Sequence, residues 1–398
     1  MNSPFLLSTC LIKFSLLILS IFLPFSISGI SISVSLLFLG YLILCLTKQK
    51  IVLPTQPEAR SIIYLITVFV LITIVSTIFS LDKISSIKRI LTIAGYFIIF
   101  IVLSIFEDKN FVKKCLKIFI LFCVLHSAYT IVQYFTGIDI MHKGYQRYNR
   151  VIGIVGYPNS LAGILGLIFP VVFSFFYFLD KEKFVNLINS IILFVAIMLT
   201  FTRGIWLGIL FSLLTLGIIS NKKLLFFIIL FFISLILLIP QTRKRIFSTV
   251  NISSDQKVRI YFLKETPKLI TKRIVLGYGP DSFRKVFYEH YPDFPEKGHF
   301  HPHNMYLHIF FELGILGLIC FLFLFYKILK WLIKIYYLSY EKFLKVMILG
   351  SIGSVIVFLI YGMVDEPFRA HFAPYVLFFL LGISFNLGKN YKDFEMQK

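Results

Sequence analysis

The residues best suited to chemistry stand in three short stretches. Thr200-Phe201-Thr202-Arg203-Gly204 places an arginine between two apolar runs. An arginine at membrane depth is expensive and almost always paired. Its planar fork suits bidentate capture of a phosphate; a loop arginine reaching out to lipid headgroups is the plainer reading. Gly298-His299-Phe300-His301-Pro302-His303-Asn304 stands directly before an apolar run that opens at 305. Asn304 is a natural N-cap, so His303 is expected beside the positive end of a helix, which holds its ring neutral. A neutral imidazole accepts a proton from a hydroxyl near pH 7. Three alternating histidines also point one way from an extended strand, as a metal would require. No carboxylate or cysteine stands beside them at ligand spacing, so no metal is expected. Glu312 lies eight residues into the apolar run, about 12 Å along a helix, in an i, i+4, i+8 line with Asn304 and His308. An embedded carboxylate needs a partner and faces the bundle interior, either as a structural ion pair or as an accessory to catalysis. Gly314 and Gly317, one turn on, permit close helix approach.

Arg150, Pro158-Asn159, Arg259 in Arg259-Ile260-Tyr261, and Asp365-Glu366 with Arg369 are further candidates on the same side. Gly277-Tyr278-Gly279 is no dinucleotide fingerprint, because no strand precedes it in a βαβ unit. There is no phosphate-binding Walker loop, no Gly-x-Ser-x-Gly elbow and no aspartate cluster for a metal-bound nucleotide sugar.

The elements that must position these residues are apolar helices. Hydrophobic residues make up 58% of the 398, charged residues only 15%, against about 25% charged in soluble domains. Twelve segments are candidates for the roughly 20 apolar residues of a span: 5–28, 30–47, 61–80, 90–106, 115–135, 159–179, 184–201, 204–220, 224–240, 305–326, 343–363 and 372–388. The expected architecture is therefore an all-α, polytopic transmembrane bundle, with residues 1–398 as a single integral membrane domain. The first 28 residues lack a basic n-region and a small-x-small cleavage site and read as a first span. With the N-terminus inside, the short inner segments hold 17 Lys and Arg and the short outer ones 8, which puts both termini in the cytoplasm and the long loop 241–304 outside.

That loop holds 12 basic and 6 acidic side chains and four of the eight histidines, and a loop of such length is usually functional or disordered. Ile260, Leu263, Ile270 and Ile274 recur at helical spacing beside Lys257, Lys264, Lys268 and Lys272, as in an interfacial amphipathic helix that Pro267 shortens or bends. The net charge of +21 reads as topogenic charge and contact with membrane phospholipids. No basic patch interleaved with aromatics marks a nucleic-acid surface. The five cysteines lie in apolar runs and form neither a disulfide framework nor a thiolate metal set.

Taken in order, these stretches resemble the O-antigen ligase and O-antigen polymerase superfamily of membrane glycosyltransferases. The matching residues are Arg150-Val151-Ile152-Gly153 through Gly156-Tyr157-Pro158-Asn159-Ser160-Leu161-Ala162, Thr202-Arg203-Gly204, Arg259-Ile260-Tyr261, Gly277-Tyr278-Gly279-Pro280-Asp281-Ser282-Phe283, and His301-Pro302-His303-Asn304 to Glu312-Leu313-Gly314. Members often show Asn-Pro-Asn where this chain has Tyr157-Pro158-Asn159. The resemblance implies a GT-C-like fold and a metal-independent, inverting transfer without cofactors. The glycan leaves undecaprenyl pyrophosphate at the periplasmic face of the bacterial inner membrane. A ligase passes it to the lipid A–core or a related glycolipid acceptor, and a polymerase to another lipid-linked repeat. By the same resemblance His303 and Arg203 are the catalytic pair, Arg203 and Arg259 hold the donor pyrophosphate, and Arg150, Asn159, His301, Asn304 and Glu312 line the substrate site. A polysaccharide transporter or flippase is the competing class. It needs polar residues lining a path through several spans, whereas charged residues inside spans are few (Lys13, Lys117, Glu312, Lys345) and inverted repeats are not evident.

Overall fold

Apolar backbone in lipid must satisfy every N–H and C=O internally, which leaves helices as the solution for segments of this kind. The computed structural model describes residues 3–141, 150–221, 223, 225, 254–294 and 301–390. They form thirteen α-helices and one 3-10 turn, with no strand among the described residues. The helices are α1 (Ser3–Phe22), α2 (Ile27–Thr47), α3 (Pro57–Ile78), α4 (Lys83–Ile105), α5 (Lys109–Thr136), α6 (Pro158–Phe178), α7 (Lys183–Leu199), α8 (Arg203–Ser220), α9 (Ser254–Ile270), α10 (Phe283–His290), α11 (Met305–Leu338), α12 (Lys342–Tyr361) and α13 (Ala373–Leu387). Nine are long and apolar enough to cross a membrane, and α7 and α13 are shorter apolar helices. These eleven match eleven of the expected spans. Apart from residue 225, the twelfth, 224–240, lies outside the described residues, as do 241–253 and His299.

The short helix α13 is the centre of the bundle, since every one of its residues is buried. Aromatic rings hold it on several sides: Phe378 meets Phe97 edge-on, Phe379 meets Phe119, and Phe385 lies flat on Trp331. Such pairs contribute about 0.5–1.5 kcal/mol beyond the area they bury. The α1–α2 hairpin lies at the periphery, with Leu7, Phe14, Ile32 and Leu46 exposed.

Helix ends sort into two faces. At one, Ser76 near the end of α3 bonds the Leu276 carbonyl, Ser86 near the start of α4 bonds that of Pro280, and Tyr361 at the end of α12 bonds Asp365. At the other, Lys13 of α1 pairs with Asp108 before α5, Lys113 with Glu341, and Lys334 with Glu58. The candidate residues gather at the first face. The second carries the start of α1 and the end of α13, where Gln56 donates to Gly388 O at 3.1 Å.

Two expectations are amended. Ile260, Leu263 and Ile274 of the aliphatic row are exposed, while Val258, Phe262, Leu269 and Ile270 form a second apolar face of α9 that is buried in the protein. Phe262 packs on Phe283 and Phe287 of α10, and these rings bury more apolar surface than the aliphatic row could. This small cluster, joined by Tyr278 and Phe311, is separate from the main core. The second correction concerns Gly314, which interrupts a helix where close helix–helix packing was expected. Its φ of 67° and ψ of −170° break α11, a conformation open to glycine and strained for other residues. The freed groups are taken up by segment 274–279. Tyr278 N donates to Phe311 O, Gly279 N to Glu312 O, and Ile315 N to Ile274 O. A Cβ on Gly314 would overlap the Val275 carbonyl. The Gly277-Tyr278-Gly279 run is thus the plug of a helix break, and the break fixes the height of Glu312.

Candidate functional site

Asn304 caps α11, its Oδ1 accepting from Leu307 N at 2.9 Å while its amide donates to Met363 O at 3.0 Å. The cap lashes the start of α11 to the loop between α12 and α13. Met305 N adds a shared bond to Gly362 O and Asp365 O. Asn304 therefore acts on the geometry of the site through the backbone. His303, just before it, has φ 54°. Left-handed non-glycine residues are uncommon and often functional. Phe201 and Asp281, at the same face, share the feature.

This loop brings two carboxylates to the histidines. His303 Nδ1 faces Asp365 Oδ1 at 3.6 Å, and His301 Nδ1 faces Glu366 Oε1 at 3.4 Å. His303 N also donates to Glu366 Oε1 at 3.1 Å. Asp365 is held from behind, its Oδ2 accepting from Asn159 Nδ2 at 2.8 Å and from Tyr361 OH at 2.7 Å. Glu366 Oε2 meets His308 Nδ1 at 2.5 Å, and His308 Nε2 meets Glu312 Oε1 at 2.7 Å. Glu312 Oε1 accepts further from Asp281 N at 2.6 Å, and Asp281 holds Arg369 at 2.7 Å. One polar chain thus runs Asn159–Asp365–His303 on one side and Glu366–His308–Glu312–Asp281–Arg369 on the other. The i, i+4 pairing of His308 with Glu312 is as expected. Glu312 sits on His308 and Asp281 N, one layer behind the histidines.

The electrostatics follow from burial. Burial pushes the His303 ring below its ordinary value. The Asp365 carboxylate opposes this, and electrostatic repulsion from the His301 and Arg259 side adds to it. The expected direction holds, but desolvation rather than the helix end is its main cause. Burial alone would raise Asp365 and Glu366, yet both are held below the usual carboxylate range, Asp365 by His303 and Tyr361 and Glu366 by His308 and His301. Burial would likewise lower Arg369, but Asp281 and Glu366 hold it above its ordinary value. A buried carboxylate that keeps its charge needs this density of donors.

Arg150 is a brace. Its Nε donates to Thr200 O at 2.7 Å, and its terminal nitrogen to Asn159 Oδ1 at 3.0 Å and Thr202 Oγ1 at 2.8 Å. It ties the loop before α6 to the α7–α8 turn and so sets Asn159 on Asp365. Arg203 opens α8 directly behind Thr202, and Gly204 brings this helix end against the Tyr361 ring and Val364, next to Asp365. Arg259, on α9, is near enough for its charge to act on His303 and Tyr361. His301, His303 and Asp365 also put three ligand-type atoms within 4.8 Å of one another. The absence of a carboxylate at ligand spacing along the sequence therefore does not extend to space.

Some braces escaped sequence reasoning. His126 donates from Nδ1 to Pro24 O at 3.0 Å and accepts Ile154 N on Nε2 at 2.9 Å. Gln133 Oε1 accepts from Ile152 N and Gly153 N. With Thr130 they form a polar i, i+4, i+7 row in an otherwise apolar helix, which was the available signal. Arg89, buried in α4, donates to Tyr96 OH at 3.0 Å and Phe368 O at 2.8 Å and steadies the loop that carries Asp365.

Residues 188–322 match a family model described as O-antigen ligase. Over that stretch the chain is similar to the O-antigen ligase family. The resemblance read from the motifs is borne out over residues 188–322, as a likeness to membrane glycosyltransferases of the ligase and polymerase type. No curated protein matches the chain. Arg203, Arg259, His303 and Glu312 lie inside the O-antigen ligase stretch, whereas Arg150, Asn159, Asp365 and Glu366 lie outside it. The histidines thus belong to the matched segment, and the carboxylates they face, Asp365 and Glu366, come from the loop between α12 and α13 beyond it.

Proposed function

We propose that this protein transfers a glycan from undecaprenyl pyrophosphate to a lipid A–core or related glycolipid acceptor at the outer face of the bacterial inner membrane. The observation that carries the reading is His303, half-buried, lowered in pKa and set facing Asp365, in a stretch similar to a family of membrane glycosyltransferases. With the proton on Nδ1 towards Asp365, Nε2 carries the lone pair. The acceptor hydroxyl gives its proton to Nε2 as its oxygen attacks the anomeric carbon. The bond from that carbon to the diphosphate oxygen breaks, its electrons leave on the diphosphate, and configuration inverts. Arg203 and Arg259 hold the diphosphate and stabilise the growing charge without a metal. Joining two lipid-linked repeats, the polymerase reaction, uses the same groups with a different acceptor.

The test is substitution of the arginines. Bidentate capture needs the guanidinium plane, so Arg203→Lys and Arg259→Lys should each be nearly as damaging to transfer as the alanine variants, at unchanged protein level. Full activity of both lysine variants would make these arginines headgroup anchors.

The pH dependence is the second expectation. The neutral imidazole is the active form, and its pKa is depressed, so the rate should rise with pH along a limb lying below 6.5 and be flat at neutrality. Asp365 opposes the depression, so Asp365→Asn should move the limb further down. A limb at or above 6.5, or an upward move in the variant, would contradict the assignment; kcat/KM against pH measures both.

A further inference from the structure

A second site lies at the opposite face of the bundle. A cavity of about 850 Å³ opens there between the start of α1, the end of α2, the loop into α3 and the ends of α4 and α13. Its rim carries five basic side chains, Lys13, Lys48, Lys50, Arg60 and Lys389, against two acidic ones, Glu107 and Asp108. Asp108 is already paired with Lys13 at 2.8 Å. Lys48 and Lys50 meet no carboxylate among the described residues, and Lys48 lies over the Phe5 ring at 5.6 Å. The deeper wall is apolar, with Ile12, Leu44, Val102 and Phe385. Gln56, itself buried, lines it too and leaves Oε1 without a partner among the described residues.

An apolar interior under a basic rim, at the ends of membrane-length helices, calls for a ligand with an anionic head and hydrocarbon tails. Basic pockets between helix ends are recognition sites for anionic lipid headgroups. A free phosphate would meet the lysines and leave the apolar wall unfilled. We propose that this cavity binds one anionic phospholipid, its phosphate between Lys48, Lys50 and Arg60 and an acyl chain against Leu44 and Phe385. The site is separate from the histidine–carboxylate network and does not depend on the transfer reaction.

The protein holds two tryptophans, and Trp331 stacks on Phe385 with ring centroids 3.6 Å apart. Trp206→Phe leaves Trp331 as a reporter one ring behind the cavity wall. Full-length protein in detergent would be titrated with brominated phosphatidylglycerol and, separately, brominated phosphatidylcholine. Quenching of Trp331 should half-saturate at a tenfold or more lower mole fraction of the anionic lipid. Each basic side chain near an anionic surface is worth about fivefold, so Lys48→Gln with Arg60→Gln should remove most of that preference. Unchanged Trp331 emission before lipid is added shows that the double variant is folded, and Lys50→Gln alone provides a milder second variant. Equal quenching by the two lipids, or a preference that survives both variants, overturns the proposal. So does displacement of the lipid by inorganic phosphate beyond that by chloride at matched ionic strength, which would make the cavity a free-anion site.

Discussion

His303→Ala should lower transfer by about 10²–10⁴-fold, the range a general base contributes, while insertion and donor binding stay intact. His303 sits on Asp365, which Asn159 and Tyr361 hold in place. His301, facing Glu366 at 3.4 Å, should tolerate alanine better, because it orients the loop and does not carry the proton. The pair controls for loop damage, since both substitutions remove an imidazole from the same three-residue stretch. Turnover of His303→Ala at the wild-type level, with purified lipid-linked donor and acceptor, would remove the base from the mechanism.

Glu366→Gln should be damaging to stability and transfer together. Glu366 bonds His303 N, faces His301 and carries His308, whose other nitrogen rests on Glu312. Both His308 ring nitrogens face carboxylates, so the three side chains form one buried ionisable set. Removing one partner of a buried charged pair typically costs about 3–5 kcal/mol. Because the His303 backbone hangs on the same carboxylate, a shift of about 1 Å there is worth about 10²-fold in rate. Replacing Glu366 by Gln, His308 by Leu and Glu312 by Gln together should recover thermal stability, since no buried charge is then left unpaired, while transfer stays low. Recovery of transfer in the triple variant would make the network purely structural. Thermal unfolding in detergent, followed beside turnover, separates these outcomes.

The helices were legible because their apolar runs are long and sharply bounded, and eleven of the twelve expected spans are helices in place. The cap at Asn304 and the His308–Glu312 pairing were legible for the same local reason: both are set by spacing along one helix. What joins Glu366 to His308 is separated by 58 residues, and Asn159 reaches Asp365 across 206. No periodicity in the chain reports such distances, so the acidic half of the site appeared only as candidates on the same side. The second, buried face of α9 was not legible because the rings of α10 that cover it lie in another element. Gly314 was read as a packing residue; its role as a helix break needed the 274–279 segment to be seen against it.

The most direct measurement is stoichiometry in a reconstituted system. Purified protein in liposomes, given a glycan on undecaprenyl pyrophosphate and a glycolipid acceptor in the presence of EDTA, should release one undecaprenyl pyrophosphate per glycosidic bond formed, with no nucleotide sugar added. Bond formation that needs a nucleotide sugar, or that stops in EDTA and returns with Zn²⁺ or Mn²⁺, would contradict the account. In the second case His301, His303 and Asp365 would be a metal site.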